Sequence, residues 1–359
     1  MRILFYIESL RAGGKERRLV ELIKSLSNQP DVQIALVLTK KEIQYTAIHQ
    51  TKAEIYYTER KNVKKDPRVF FKFYKVAKKF NPDLIHVWGN MVAIYAIPTK
   101  LILGVPMINS QITSAPLRIS TSLLGHTIPF KYSDLIIANT SAGLAVYNTP
   151  AAKSKVIYNG FDFNRISNLK NPDQLKDELQ IKTKFVVGMV ATIYEKKDYD
   201  SYVKAAINVL NQRLDVTFLG IGEGDSKELE ALIPEAFKNH IRFLGKITDT
   251  ESYMNICDIG VLASFTEGIS NALLEFMALK KPVIGTGVGG TGELLTGENG
   301  IHLPSKQPVR LAEEINNFLS DAEKRKEYGQ KAFETVDQKF NVLDKVNEYR
   351  AVYESIIKV

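Results

Sequence analysis

Cysteine is nearly missing from this chain: Cys257 is the only one in 359 residues, and it lies in an apolar run. That excludes an internal disulfide framework and a thiolate metal cluster. Long hydrophobic runs are missing too, since no stretch approaches the roughly 18 apolar residues that a membrane span needs. The opening stretch Met1–Glu8 has too short an apolar run for a secretory signal and reads as a first strand. The cytoplasm is therefore the default location. No repeat or low-complexity tract interrupts the chain, and no recognised RNA- or DNA-binding module accompanies its basic residues. The histidines at 49, 126, 240 and 302 belong to no motif, although His126, near Pro129, stands as a site candidate in the first half.

What is present is a soluble globular composition, 45% hydrophobic and 25% charged,. A chain of this length calls for two domains. The net charge of +8 suits an anionic partner, whether nucleotide diphosphate, lipid phosphate or nucleic acid,. Short apolar runs alternate with amphipathic stretches throughout. Strands are expected at Arg2–Ile7, Val32–Thr39, Leu84–Trp88, Met107–Gln111, Leu135–Asn139 and Lys155–Tyr158. A second series is expected at Phe185–Ala191, Val216–Gly220, Ile241–Leu244, Ile259–Ala263, Val283–Thr286 and Gly300–Leu303. Apolar runs without polar alternation suit strands buried on both faces. The βαβα order predicts an α/β protein with two doubly wound, Rossmann-like domains. Expected bounds are 1–166 plus 340–359 for the first, with a returning C-terminal helix at Val342–Ile357, and 167–339 for the second. The polar stretch Ser167–Gln180 is expected to be the hinge.

The most informative segment runs from Glu267 through Gly268, Ile269, Ser270 and Asn271 to Glu275, then Pro282-Val283-Ile284. Its two carboxylates are eight positions apart around a Gly-Ile-Ser-Asn turn. Ser270 is a plausible N-cap, so the next amides would point at an anion in front of the helix. Glu275, one turn further in, could accept hydrogen bonds from hydroxyls. Phosphate on a helix end with a polyol beside it describes a nucleotide-sugar site. The stretch Gly285–Gly292 holds five glycines in eight positions after a buried strand, a loop of exposed N–H groups that suits phosphate oxygens,. Gly13-Gly14 follows the first strand and opens a helix, where glycine permits positive φ or close approach of a ligand.

Together these elements resemble the retaining glycosyltransferases of family 4, of GT-B architecture: two Rossmann-like domains facing each other across a cleft. The matching residues are Glu267-Gly268, Glu275, Phe276-Met277-Ala278, Lys281-Pro282-Val283-Ile284 and Gly289-Gly290-Thr291-Gly292-Glu293. Asn159–Asp162, Leu219–Gly224, Phe243–Lys246 and Cys257–Ser264 also fit. The resemblance implies transfer of a sugar from a nucleotide diphosphate, UDP rather than GDP, to an acceptor hydroxyl with retention of configuration. It implies that Glu275 binds the ribose hydroxyls and that the N–H groups of Ala272 and Leu273, beside Asn271, meet a phosphate. Glu267 with the backbone of Gly268, Ile269 and Ser270 would hold the donor sugar, and Gly289-Gly290 the diphosphate. Lys197 would neutralise the leaving diphosphate, and Gly14 would approach the phosphates from the other domain. A fixed lysine with helix-end amides stabilises the charge that develops on a departing diphosphate, so neither a divalent metal nor another cofactor is expected. No strand candidate is followed directly by the Asp-x-Asp pair of metal-dependent sugar transferases. Two domains closing on the donor would protect it from water.

Two positions depart from the family pattern. Thr192 stands where an arginine usually meets the diphosphate, which leaves Lys196 as the candidate to compensate. The third strand ends in His86-Val87-Trp88, with Trp88 where a second histidine would contact donor or acceptor. His86 and Trp88 therefore count as acceptor-side candidates, with a satisfied strand-end histidine as the alternative for His86. The segment Glu59–Phe80 carries nine Lys or Arg against two acids. Arg68, Lys72, Lys75 and Lys79 share one helical face, and Phe70, Phe73, Ala77 and Phe80 another. The basic face suits either an anionic membrane surface, at the inner side of the cell membrane, or plain solvation with the phenylalanines in the core of the first domain. A glycan or polyprenyl-diphosphate-linked acceptor in bacterial surface polysaccharide assembly is the expected setting. A catalytically silent sugar-nucleotide-binding subunit and a sugar-nucleotide epimerase are the alternatives.

Overall fold

The structure is a computed structural model that describes residues 1–11, 13–60, 66–113 and 123–357. It divides into two compact units, Met1–Gly160 with Val342–Val359, and Phe161–Asn341. The chain thus passes between units at Gly160–Phe161 and at Asn341–Val342, a few residues from the bounds expected. The stretch Ser167–Gln180 is no hinge: it holds the helix Pro172–Glu178, capped by the Asn171 side chain, inside the second unit.

In the first unit the strands are β1 (Arg2–Ile7), β2 (Gln33–Leu38), β3 (Glu54–Tyr57), β4 (Leu84–Val87), β5 (Met107–Ile112), β6 (Leu135–Ala138) and β7 (Ser154–Val156). They form one parallel sheet in the order β3-β2-β1-β4-β5-β6-β7. Successive side chains of β1 enter opposite cores, as the pleat requires. Ile3, Phe5 and Ile7 pack with the helix Gly14–Ser27 and with the last helix, Val342–Ile357. Leu4 and Tyr6 pack with the helices Arg68–Phe80 and Asn90–Leu103. Burial on both faces is why this strand reads as an unbroken apolar run. The last helix inserts Val346, Tyr349, Val352 and Tyr353 and ties Arg350 to Asp31 by a two-pronged pair.

The second unit contains β8 (Phe185–Val190), β9 (Val216–Ile221), β10 (Ile241–Phe243), β11 (Ile259–Leu262), β12 (Thr266–Glu267), β13 (Val283–Thr286), β14 (Val288–Gly289) and β15 (Ile301–Leu303). Its parallel main sheet runs β10-β9-β8-β11-β13-β15, and β12 pairs with β14 separately. One face carries the helices Tyr199–Leu210 and Pro308–Ser320. On the other, glycines face each other in register at Gly188 and Gly260. A Cβ on Gly260 would lie 2.4 Å from the Phe276 ring, and one on Gly188 2.5 Å from Cys257 Sγ. This paired bareness lets the helix Asn271–Ala278 sit close against the sheet, which fixes where its N-terminus ends up. Burial pushes the Cys257 thiol up to about 12, so it behaves as a packing group,.

Candidate active site

Ligands of open α/β sheets bind at the carboxyl ends of the strands where the strand order reverses. In the second unit that point lies between β8 and β11, and the loops leaving these strands are stitched together there. Asp198 N–H donates to the Ala263 carbonyl at 3.0 Å, Phe265 N–H to the Lys196 carbonyl at 3.1 Å, and Ser264 Oγ to the same carbonyl at 3.0 Å. The stitching brings two residues 70 positions apart into an ion pair: the Lys197 ammonium donates to Glu267 Oε1. Both side chains are largely covered, at 15% and 16% exposure.

Glu267 lies in β12, beside β14 of the glycine-rich loop, with Glu267 opposite Gly289. Here glycine is demanded by space: a Cβ on Gly290 would stand 2.2 Å from the Gly268 carbonyl oxygen. Gly287 and Gly289 take φ of +97° and +85°, the left-handed region that favours glycine,. His302 Nε2–H donates to the Gly287 carbonyl, 2.7 Å away, and braces the loop. Nothing in the spacing around His302 foretold this.

Ser270 caps the helix Asn271–Ala278 as read, with its hydroxyl accepting from Leu273 N–H at 3.4 Å. That is longer than the usual 2.9–3.0 Å, so the cap on Leu273 is weak. The cap also means that the Leu273 amide already has a partner within the protein. Glu275 is buried, and its Oε1 accepts from Arg165 Nη2 at 2.8 Å. The same Nη2 donates to Glu251. Arg165 carried no sequence signal, being 110 residues from its partner.

The loop holding Thr192 is tied to the neighbouring glycine loop after β9. Ala191 N–H donates to the Ile221 carbonyl and Ile193 N–H to the Glu223 carbonyl. Thr192 and Lys196 are both exposed at this end of the sheet. Tyr194, half-exposed, also lies here, and its hydroxyl is raised by partial burial and then by the nearby Glu267 carboxylate. Asp198-Tyr199-Asp200 has Asp-x-Asp spacing, but its carboxylates have other duties. Asp198 caps the helix Tyr199–Leu210 and accepts from Lys306 N–H, while Asp200 pairs with Lys204.

In the first unit the helix Gly14–Ser27 begins with Gly13 as its cap, at the strand-order reversal beside β1. Gly13 is extended and neither glycine takes a positive φ, so the conformational reason expected for this pair does not apply. His86 and Trp88, expected on the acceptor side, have no exposed surface. His86 is satisfied at both nitrogens, by Tyr353 Oη and Ser110 Oγ, each at 2.8 Å. Burial, and then the Arg18 charge, hold its imidazole well below the ordinary range. Trp88 packs under the Arg18 guanidinium, 4.6 Å from the ring centre. His86 is a core residue because β4 is buried on both faces, and Trp88, one residue past the strand, joins the same core. His126 is partly exposed on the helix Leu123–Tyr132, against Tyr147, and its carbonyl accepts from Gln111.

The basic stripe is less uniform than its spacing implies. Arg68 is spent on the buried Asp66, and Lys72 donates to the Glu59 carbonyl. Phe73, Ala77 and Phe80 are core, and Phe70 is half-buried against them. The exposed face is Lys75, Lys78 and Lys79 around Phe71, which is 60% exposed with the Lys75 ammonium over its ring. Lys61, Lys64 and Lys65 lie outside the described residues.

Residues 12–165 match Glycosyltransferase Family 4, and residues 184–321 match Glycosyl transferases group 1. The chain belongs to glycosyltransferase family 4. An uncharacterized glycosyltransferase of Methanocaldococcus jannaschii is 26% identical over 239 residues, 64% of this chain and 60% of its relative. The Campylobacter jejuni enzyme named N-acetylgalactosamine-N,N'-diacetylbacillosaminyl-diphospho-undecaprenol 4-alpha-N-acetylgalactosaminyltransferase is 24% identical, over 91% of this chain and 92% of its own. Among solved structures, Anabaena HepE in complex with UDP and glucose superposes with a TM-score of 0.86 at 23% identity, over 99% of this chain and all of its own. That likeness establishes the family-4 fold, two Rossmann-like domains of GT-B type. Among the described residues no helix is long and apolar enough to cross a membrane.

Proposed function

We propose that this family-4 chain transfers a sugar from a nucleotide diphosphate to a hydroxyl of a glycan or lipid-linked acceptor, with retention of configuration. The observation that carries the reading is the convergence, at one strand-order reversal, of the Lys197–Glu267 pair, the capped helix Asn271–Ala278 and the Gly268–Gly290 approach. In the reaction the bond from the anomeric carbon to the diphosphate oxygen breaks, and its electron pair leaves with the diphosphate. The acceptor oxygen bonds that carbon, and its proton passes to the departing phosphate. Negative charge therefore grows on the diphosphate, where the Lys197 ammonium and the first amides of a helix stabilise it without reorganising. Glu267 holds that ammonium in place and reaches the donor sugar. Thr192, Lys196 and the Gly289-Gly290 backbone line the same diphosphate, and Glu275 takes the ribose. With the charge met in this way the enzyme needs no divalent metal, so EDTA should leave its rate unchanged.

UDP is favoured because HepE binds it. An acceptor on a polyprenyl diphosphate is supported by the substrate in the Campylobacter enzyme's name, and bacterial surface polysaccharide assembly is the setting proposed for it. His126 remains the acceptor-side candidate in the first unit, and the lysine face around Phe71 docks on anionic lipid at the inner membrane surface. A thermal-shift panel of UDP, GDP, ADP and CMP with their sugar conjugates tests the donor reading, since a ligand of the native state raises the melting temperature. UDP and one UDP-sugar should raise it, and no shift with any nucleotide at millimolar concentration would refute the donor site. The anomeric configuration of the product, read by NMR, tests retention.

A further inference from the structure

Arg165 has a place in this site that no motif assigns. It lies in the short turn Phe163–Ile166, whose start is capped by the Asp162 carboxylate accepting from Asn164 N–H at 3.0 Å. Its guanidinium lies over the Phe161 ring, 5.3 Å from the centre, and Phe161 is edge-on to Phe163. One nitrogen, Nη2, donates to the Oε1 atoms of both Glu251 and Glu275. Glu251 is itself held by Thr250 Oγ1 at 3.2 Å. The cation is 20% exposed, and the Glu275 carboxylate beneath it 4%. Charge-assisted bonds among covered groups are short and directional.

We propose that Arg165 is a positioning residue that orients the Glu275 carboxylate for the vicinal hydroxyls of a nucleotide ribose. The inference rests on the reading of Glu275 as the ribose carboxylate. A glutamate has three rotatable side-chain bonds, and a diol is gripped only when both carboxylate oxygens lie toward it. Arg165 fixes one oxygen, and a carboxylate offers about four acceptor positions, so the pair leaves the group able to take the diol. Side-chain freedom that would otherwise be lost on binding is lost on folding instead. Glu251 serves as the second anchor that stops the guanidinium following Glu275 as it moves.

The test is the preference for UDP over 2',3'-dideoxy-UDP, measured as a ratio of Kd values by calorimetry on the full chain. The native protein should prefer UDP by about 10- to 100-fold, the range for hydrogen bonds to a charged group. Arg165→Met should cut that preference about tenfold while leaving the Kd for the dideoxy nucleotide unchanged, and Arg165→Lys, which keeps a charge, should restore part of it. A merely structural role would weaken both nucleotides alike. If the native protein shows no preference, the ribose reading of Glu275 itself has failed. If the native preference is large, Glu275→Gln abolishes it and Arg165→Met keeps it, then the ribose reading stands and the role of Arg165 is overturned. Should Arg165→Met fail to fold, Arg165→Lys decides alone, and an unchanged preference overturns the proposal.

Discussion

Lys197 and Glu267 are nearly covered and paired to each other, so removing either exposes the function of the other. Lys197→Ala should weaken UDP-sugar binding by about 10- to 100-fold, the equivalent of roughly 1.5–3 kcal/mol for a bond to a charged group, and should lower kcat as well. Steady-state kinetics with the donor varied checks this, and an unchanged kcat would remove Lys197 from the leaving-group role. His86 gives a residue-scale prediction about stability. Its folded pKa is depressed by burial, while an unfolded histidine titrates near 6.5. Below about 6.5 the unfolded chain binds a proton that the folded chain refuses, so stability present above that pH is lost as pH falls. The slope approaches about 1.4 kcal/mol per pH unit. Melting curves between about pH 8 and pH 5 should therefore shift down, and His86→Gln should flatten the part of the slope that belongs to this residue. Legibility at this scale was uneven. The Glu267, Ser270 and Glu275 pattern is local in the chain and could be read from it, whereas the burial of Trp88 and His86 depends on helices far away in sequence, the last one included.

Among the elements, the strands were legible wherever both faces are buried, because an unbroken apolar run then has no competing explanation. β3 was not expected: Glu54–Tyr57 is a partly exposed edge strand with no such run. The two-residue strands β12 and β14 escaped for another reason, since they exist only because the glycine loop and the Glu267 loop pair with each other. That pairing can be broken at one atom. A Cβ on Gly290 meets the Gly268 backbone at 2.2 Å, and backbone cannot step aside as a flexible side chain can. Gly290→Ala should cost about 1–3 kcal/mol, the usual penalty of overpacking, and should weaken UDP binding together with it. Gly104 offers a control, because an added Cβ would meet nothing within 4 Å there although φ is +65°. Gly104→Ala should cost stability and leave UDP affinity alone. Thermal melts and titrations of both variants check the contrast.

Scaled up to the whole molecule, the division into two Rossmann-like units followed from length and from the repeated βα order, and the family motifs pointed to the second unit for the nucleotide. What remained hidden was which cations are engaged within the protein, because pairing with Asp66 or hydrogen bonding to a backbone carbonyl is a matter of three-dimensional placement. The exposed set of Lys75, Lys78 and Lys79 around Phe71 should bind anionic lipid, with about 1 kcal/mol from each lysine near such a surface. In sedimentation at low salt the protein should pellet with anionic vesicles and not with neutral ones, and Lys75→Glu with Lys79→Glu should abolish it. No pelleting with anionic vesicles would remove the membrane surface from the account.

A crystal structure of the protein grown with UDP decides whether the second unit holds a nucleotide diphosphate where the helix Asn271–Ala278 begins. A phosphate oxygen should lie within hydrogen-bond distance of the Ala272 amide, with the Lys197 ammonium on the same diphosphate and the ribose hydroxyls on Glu275. Nucleotide bound elsewhere, with Lys197 and Glu275 making no contact to it, would overturn this assignment.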